Sequence, residues 1–144
     1  MGDVMEWMLA PYKRYAEFSG RSRRMEYWMF RLFEFGAIIG LFLISAIVAG
    51  AASSVGGDSA GGIVGGIASL LIMVLILGSI IPSLAVTVRR LHDTGRSGWY
   101  MFISLIPLIG AIMLLIALFS EGTRGGNEYG SDPKGGDLPD EVFA

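Results

Sequence analysis

The chain has no cysteine and a single histidine among its 144 residues. The first absence excludes a disulfide framework, a thiolate metal site and a cysteine nucleophile, and it leaves the redox compartment unread. The second excludes a metal centre built from imidazoles, because one histidine holds no metal by itself. Charge is missing from long stretches too. The eleven basic and thirteen acidic residues crowd into the gaps and ends of three apolar blocks. No metal and no cofactor is expected. Nucleic acid is disfavoured as a partner, since the net charge is −2 and no recognition module is present.

What is present is apolar. A hydrophobic content of 53% and a mean hydropathy of +0.59 exceed what a soluble domain of this length needs to fill a core. The segregation of charge from the three blocks predicts an all-α polytopic membrane protein. Its three transmembrane helices are expected at about 28–52, 63–88 and 99–119. At about 1.5 Å per residue the first block is about 37 Å long, enough to cross a hydrocarbon core of about 30 Å with some tilt. The first long apolar run begins only near Met29, and no small-residue cleavage site leads into a soluble domain, so this span is expected to stay in the protein.

The segments between the blocks carry the detail. Residues 1–27 read as a cytoplasmic amphipathic and basic segment. Over 3–18, Met5, Met8, Tyr12 and Tyr15 share one helical face, predicting a short interfacial helix kinked at Pro11. Ser22 is placed to cap the next helix, and Glu26 to pair with Arg23 one turn back. Ser53 to Gly62 (SSVGGDSAGG) reads as a flexible loop, and its lack of basic residues puts it in the periplasm. Arg89 to Gly98 reads as a tight cytoplasmic hairpin in which Gly95 ends a helix in the left-handed conformation. Residues 120–144 form an acidic, Gly-rich tail punctuated by Pro133 and Pro139.

Five basic residues precede the first span and Arg31 lies at its start, three lie in the second loop, none in the first and two in the tail. The positive-inside rule therefore puts the N-terminus in the cytoplasm, and three crossings put the C-terminus in the periplasm. A re-entrant course for the third block, broken at its IPLIG sequence (Pro107, Gly110), or insertion of the N-terminal helix, would return the tail to the cytoplasm.

Candidate site residues fall into three sets. His92 beside Asp93 is the one histidine–carboxylate pair. Without a nucleophile in matching context it is read as structural, fixing the hairpin together with Gly95 and Trp99 rather than performing catalysis. Glu34 lies just inside the first span, with Arg31 three residues earlier as its interfacial partner. Arg21, Arg23, Arg24, Arg89, Arg90 and Arg96 are expected to converge on the cytoplasmic face, where anionic lipid headgroups or a partner protein are their natural ligands. Gly36 and Gly40, Gly61 and Gly65, and Gly62 and Gly66 are small-xxx-small pairs that permit close helix approach. The tail from Gly122 to Pro133 offers oxygen ligands but lacks calcium-loop spacing.

Three blocks together carry a resemblance: Phe18-Ser-Gly-Arg-Ser-Arg-Arg-Met-Glu-Tyr-Trp-Met-Phe30, Arg90-Leu-His-Asp-Thr-Gly-Arg-Ser-Gly-Trp99, and Gly122-Thr with Asn127-Glu-Tyr-Gly-Ser-Asp-Pro133. In order and spacing the chain resembles the domain of unknown function 805 family of bacterial inner-membrane proteins. The resemblance implies a compact multi-span protein of the bacterial inner membrane, and no catalytic residues. The expected role is non-enzymatic: an accessory or scaffold subunit packing against other membrane proteins, or a second copy of itself, and against anionic lipid. The alternative is a small oligomeric transporter or channel component, since three spans enclose little pore and hold no deep charge.

Overall fold

Helix α2 (Arg24–Asp93) reverses direction at one residue, Gly57, whose φ of 73° lies outside the range that L side chains readily adopt. In a computed structural model, which describes residues 4–135, the order is α1 (Val4–Lys13), α2, a 3-10 helix (Gly98–Leu105) and α3 (Ile109–Phe119). The fold is all-helical among the described residues, as the apolar periodicity predicts. Asp3 at the expected start of the first helix, and the tail beyond Gly135 with its Pro139, lie outside them.

The chain divides into two units, one of Arg31–Ile80 and the other of the residues before and after it. In Arg31–Ile80 the two arms of α2 run side by side. Leu41, Ile44 and Val48 face Val64, Ile67 and Leu71 across an apolar groove. At Gly61 the arms approach so closely that a Cβ would overlap the Ser53 hydroxyl and lie 2.9 Å from the Ala49 carbonyl oxygen. The ten-residue flexible loop expected over 53–62 is therefore corrected to a one-residue turn between helices. Glycine at 57 and 61 makes a longer linker unnecessary.

In the other unit, the second arm of α2 ends at Asp93 in the hydrogen-bond pattern of a Schellman motif. The Gly95 amide donates to the His92 carbonyl and the Arg96 amide to that of Leu91, with Gly95 at φ 71°. A small core of Tyr27, Phe30, Val86, Leu91, Ala117 and Leu118 gathers the start of α2, its end and the end of α3. Tyr12 of α1 sets its ring edge-on to Phe30 at 5.3 Å, and Pro11 is buried within α1.

The single helix expected over 99–119 is not there. The segment forms two short helices joined at Ile106, Pro107 and Leu108. Leu108, at φ 64° and ψ −65°, is the centre of a γ-turn closed by the Ile109 amide on the Pro107 carbonyl at 2.7 Å. Gly110 then passes against the Ile103 carbonyl, where a side chain would overlap it. Proline withholds the amide that would continue the first helix, and glycine lets the second fold back on it. Tyr100 and Met101 at one end of the segment, and Leu114, Ala117 and Leu118 at the other, pack on the same core cluster. The segment thus leaves this core and returns to it.

Two local expectations are also corrected. Arg23, not Ser22, is the N-cap of α2, and no side chain caps it. The Ser22 amide instead donates to the Arg89 carbonyl at 3.1 Å. Glu26 does not pair with Arg23. It accepts from Arg89 Nη2 at 3.2 Å, 63 residues along the chain, because the return of α2 brings a buried guanidinium against it.

Candidate functional site

The end of α2 presents Arg89, Arg90, His92 and Asp93 within two helical turns, and the helix cap at Gly95 fixes their directions. Three chain segments close around them: 20–26, the end of α2, and 118–134. Asp93 is the centre. Its carboxylate accepts from Arg21 Nε at 3.0 Å on one oxygen and from Arg90 Nη1 on the other. Its backbone carbonyl accepts from the Thr123 amide at 2.8 Å. A Cβ on Gly122 would fall on the Asp93 carboxylate, so only glycine lets the tail pass at this point.

Both guanidinium groups spend their remaining donors on main-chain oxygens. Arg21 donates to the carbonyls of Thr123, Gly125 at 2.6 Å and Gly130. Arg90 donates to those of Leu118 at 3.1 Å, Ser120 and Ser22. Arginine's fixed fork suits this work, because its three nitrogens can reach several acceptors at once. The side chain of Arg21 is 1% exposed and that of Arg90 0%. Burial pushes the Arg90 guanidinium below its ordinary pKa, and the Asp93 carboxylate opposes that shift.

His92 is held by the same segments. Its Nδ1 lies 3.1 Å from the Gly20 carbonyl, which can only accept, so the proton is on Nδ1. The ring stacks on Tyr129 at 4.0 Å and 6° between planes, and the His92 carbonyl accepts from Asn127 Nδ2 at 2.9 Å. Asp132 closes the tail loop by accepting from the amides of Gly125 and Lys134. Those two amides hold its carboxyl below the ordinary carboxylate range, the Lys134 amide most strongly.

The six arginines expected on one face do gather in this unit, but in different states. Arg21, Arg89 and Arg90 are buried, and nothing outside the protein reaches their guanidinium groups. Their expected role as headgroup ligands is corrected: Arg21 and Arg90 bind Asp93 and this chain's own backbone carbonyls, and Arg89 the Glu26 carboxylate. Arg23 donates to the Pro133 carbonyl at 2.5 Å and lies over the Trp7 ring. Arg24, 41% exposed, pairs with Glu121 at 3.1 Å, and Arg96 lies over the Tyr100 ring at 5.0 Å. Arg31 and Glu34 form the expected pair at 2.8 Å. Trp99 is exposed, and its amide is held by the Ser97 hydroxyl that caps the 3-10 helix.

Glu26, Thr123, Asn127 and Tyr129 were not among the sequence candidates. The sequence signals for the last three are the turn-rich run from Gly122 to Pro133 and its place among the blocks that carry the family resemblance, and neither says what these residues touch. Among the described residues no group of three or more His, Cys, Asp or Glu is arranged to hold a metal ion.

The chain is 40% identical over 136 residues to the inner membrane protein YhaI of Escherichia coli (strain K12), covering 92% of this chain and 98% of that protein. It is 39% identical over 132 residues to the inner membrane protein YhaH of the same organism, covering 90% and 98%. No solved structure matches. The family model described as protein of unknown function (DUF805) matches residues 15–131, a range that contains α2, both short helices and the arginine-clamped tail. The chain therefore belongs to the DUF805 family, a family of bacterial inner-membrane proteins.

Proposed function

We propose that this protein is a non-enzymatic scaffold of the inner membrane, a helical pair that packs against other membrane proteins, with a polar junction on the cytoplasmic side. The observation that carries the reading is the commitment of Asp93, Arg21 and Arg90 to one another and to backbone carbonyls, with His92 Nδ1 held by the Gly20 carbonyl. A reacting site needs groups left available to a substrate, whereas these are spent on closing the fold. The glycines at 36, 40, 62, 65, 66 and 78 support the packing role. They have open space where a Cβ would stand, which suits close approach by a further helix.

The basic residues of the N-terminal segment and of 89–96 argue for a cytoplasmic junction, and the lack of any around Gly57 argues for a periplasmic turn. Since the tail bonds directly to Arg21 and Arg23, both described ends of the chain belong on the cytoplasmic face. In this reading the tail lies in the cytoplasm, rather than in the periplasm where three full crossings would put it. Anionic lipid then meets Arg24 and Arg96 rather than the buried arginines.

Gentle detergent extraction followed by mass spectrometry tests the scaffold reading, with a stable complex containing a second membrane protein as the expected result. A homo-oligomer that passes solutes in liposomes would replace it with the transporter reading. Arg24→Gln with Arg96→Gln is expected to lower retention on anionic vesicles, and unchanged retention would remove lipid from the account.

A further inference from the structure

We infer that residues 98–119 form a wedge sunk into one leaflet of the membrane, covered at its tip by the acyl chains of the cytoplasmic monolayer. The inference rests on the cytoplasmic placement of the junction proposed above.

Length is the first argument. Eight residues of 3-10 helix at about 2.0 Å each reach about 16 Å, and eleven of α-helix at about 1.5 Å return the same distance. That is half of a hydrocarbon core of about 30 Å. Both ends are tied to one level. Gly98 lies against the Val88 side chain, Phe119 stacks on Trp28 at 4.1 Å, and the carbonyls of Leu118 and Ser120 accept from Arg90.

Chemistry is the second. From Ser97 to Ser120 there is no charged residue. The tip is apolar and uncovered: Leu105 is 76% exposed and Leu108 80%, with Ile106 and Ile109 beside them. Trp99 at the base is exposed where an indole ring would meet headgroups.

The third argument is the backbone. A chain reversal in hydrocarbon is costly unless its polar groups are satisfied. Here the turn satisfies four of its own carbonyls. The carbonyls of Ile103, Ile106, Pro107 and Leu108 accept from the amides of Ile106, Gly110, Ile109 and Ile112, and Pro107 has no amide to satisfy. These bonds lower the cost of placing the reversal in lipid. A monolayer also fits better than a protein partner, since the exposed tip is flexible aliphatic surface with no polar group to give a partner specificity.

The native chain lacks cysteine, so single cysteines report without background. Ser97→Cys, Glu121→Cys and Asp58→Cys are labelled with a membrane-impermeant maleimide in intact and in permeabilised cells. Asp58→Cys is expected to label in intact cells, and the other two only after permeabilisation. Labelling of 97 and 121 from opposite sides overturns the wedge and leaves the junction's orientation standing. Labelling of both from outside overturns the orientation, and with it the choice of leaflet. Depth is read with fluorophores on Leu108→Cys and, should that turn not fold, on Leu105→Cys, in nanodiscs of lipids brominated at different chain positions. Quenching strongest near the chain ends supports the wedge. Quenching strongest near the headgroups, or none at any depth, overturns it, the latter because protein then covers the tip.

Discussion

Arg21 donates to Asp93 at 3.0 Å across 72 residues of chain, with both side chains at least 95% removed from solvent. The contact ties the segment that leads into the first apolar arm to the residue that ends the second. It also sets the stage for the tail, because the other nitrogens of Arg21 hold the carbonyls of Thr123, Gly125 and Gly130.

Removing the shared carboxylate leaves two buried guanidinium groups without their counter-charge. Asp93→Asn is expected to destabilise this unit by about 3–5 kcal/mol, the usual cost of breaking a buried pair by deleting one partner. Glu121→Gln removes the partner of the half-exposed Arg24 and is expected to change stability by about 0–1 kcal/mol. Thermal unfolding in detergent, with protease cleavage of the tail as a second readout, compares the two. Equal effects would contradict the account.

The two Gly classes in the arms predict opposite responses. Gly61→Ala places a methyl on the Ser53 hydroxyl and near the Ala49 carbonyl, and so forces the arms apart. Gly40→Ala meets open space and gains helix propensity of up to about 1 kcal/mol. Unfolding of the purified variants is expected to show loss at 61 and none at 40. If 40 instead carries a partner helix, loss of a co-purifying protein will mark it.

The γ-turn predicts that Gly110→Ala disrupts the return of residues 98–119, because the new methyl would overlap the Ile103 carbonyl. Leu108→Gly relieves the positive φ at the turn centre, a strain of order 1–3 kcal/mol. Hydrogen exchange of the Gly110 and Ile112 amides is expected to accelerate in the first variant and not in the second.

Acid is expected to loosen the tail through Asp132. Its carboxyl titrates below the ordinary carboxylate value in the folded state, so the unfolded tail binds more protons as the pH falls. The stabilisation is complete above about pH 4 and is lost as the pH drops through the lower folded value. Hydrogen exchange of the Gly125 and Lys134 amides between about pH 5 and pH 3 reads this directly, and Asp132→Asn is expected to flatten the dependence.

Much of the architecture was legible in the sequence, since charge-free blocks and basic flanks report how a membrane sorts residues. The Gly95 cap and the Arg31–Glu34 pair follow from rules that operate within a few residues. What was not legible depends on where the chain returns. Glu26 has a local arginine available, yet bonds Arg89, because only the fold brings that buried guanidinium beside it. Hydropathy over 99–119 is the same for a full crossing and for a half-depth return. Pro107 and Gly110 mark a break there, but the direction taken after it is set by Leu108 and by the grip of Arg90 on residues 118 and 120. Basic residues suggest headgroup binding from outside, and only the fold reveals that Arg21 and Arg90 serve the chain's own carbonyls and Arg89 the Glu26 carboxylate.

The central claim is that the tail is clamped on the same face as the N-terminal segment. A dual reporter fused after Ala144, one enzyme active only in the periplasm and a fluorescent protein active only in the cytoplasm, tests it most directly. The account predicts fluorescence without periplasmic activity, and predicts that Asp93→Asn leaves this sidedness unchanged while freeing the tail to proteases. Periplasmic activity without fluorescence would place the tail across the membrane from Arg21 and contradict the account.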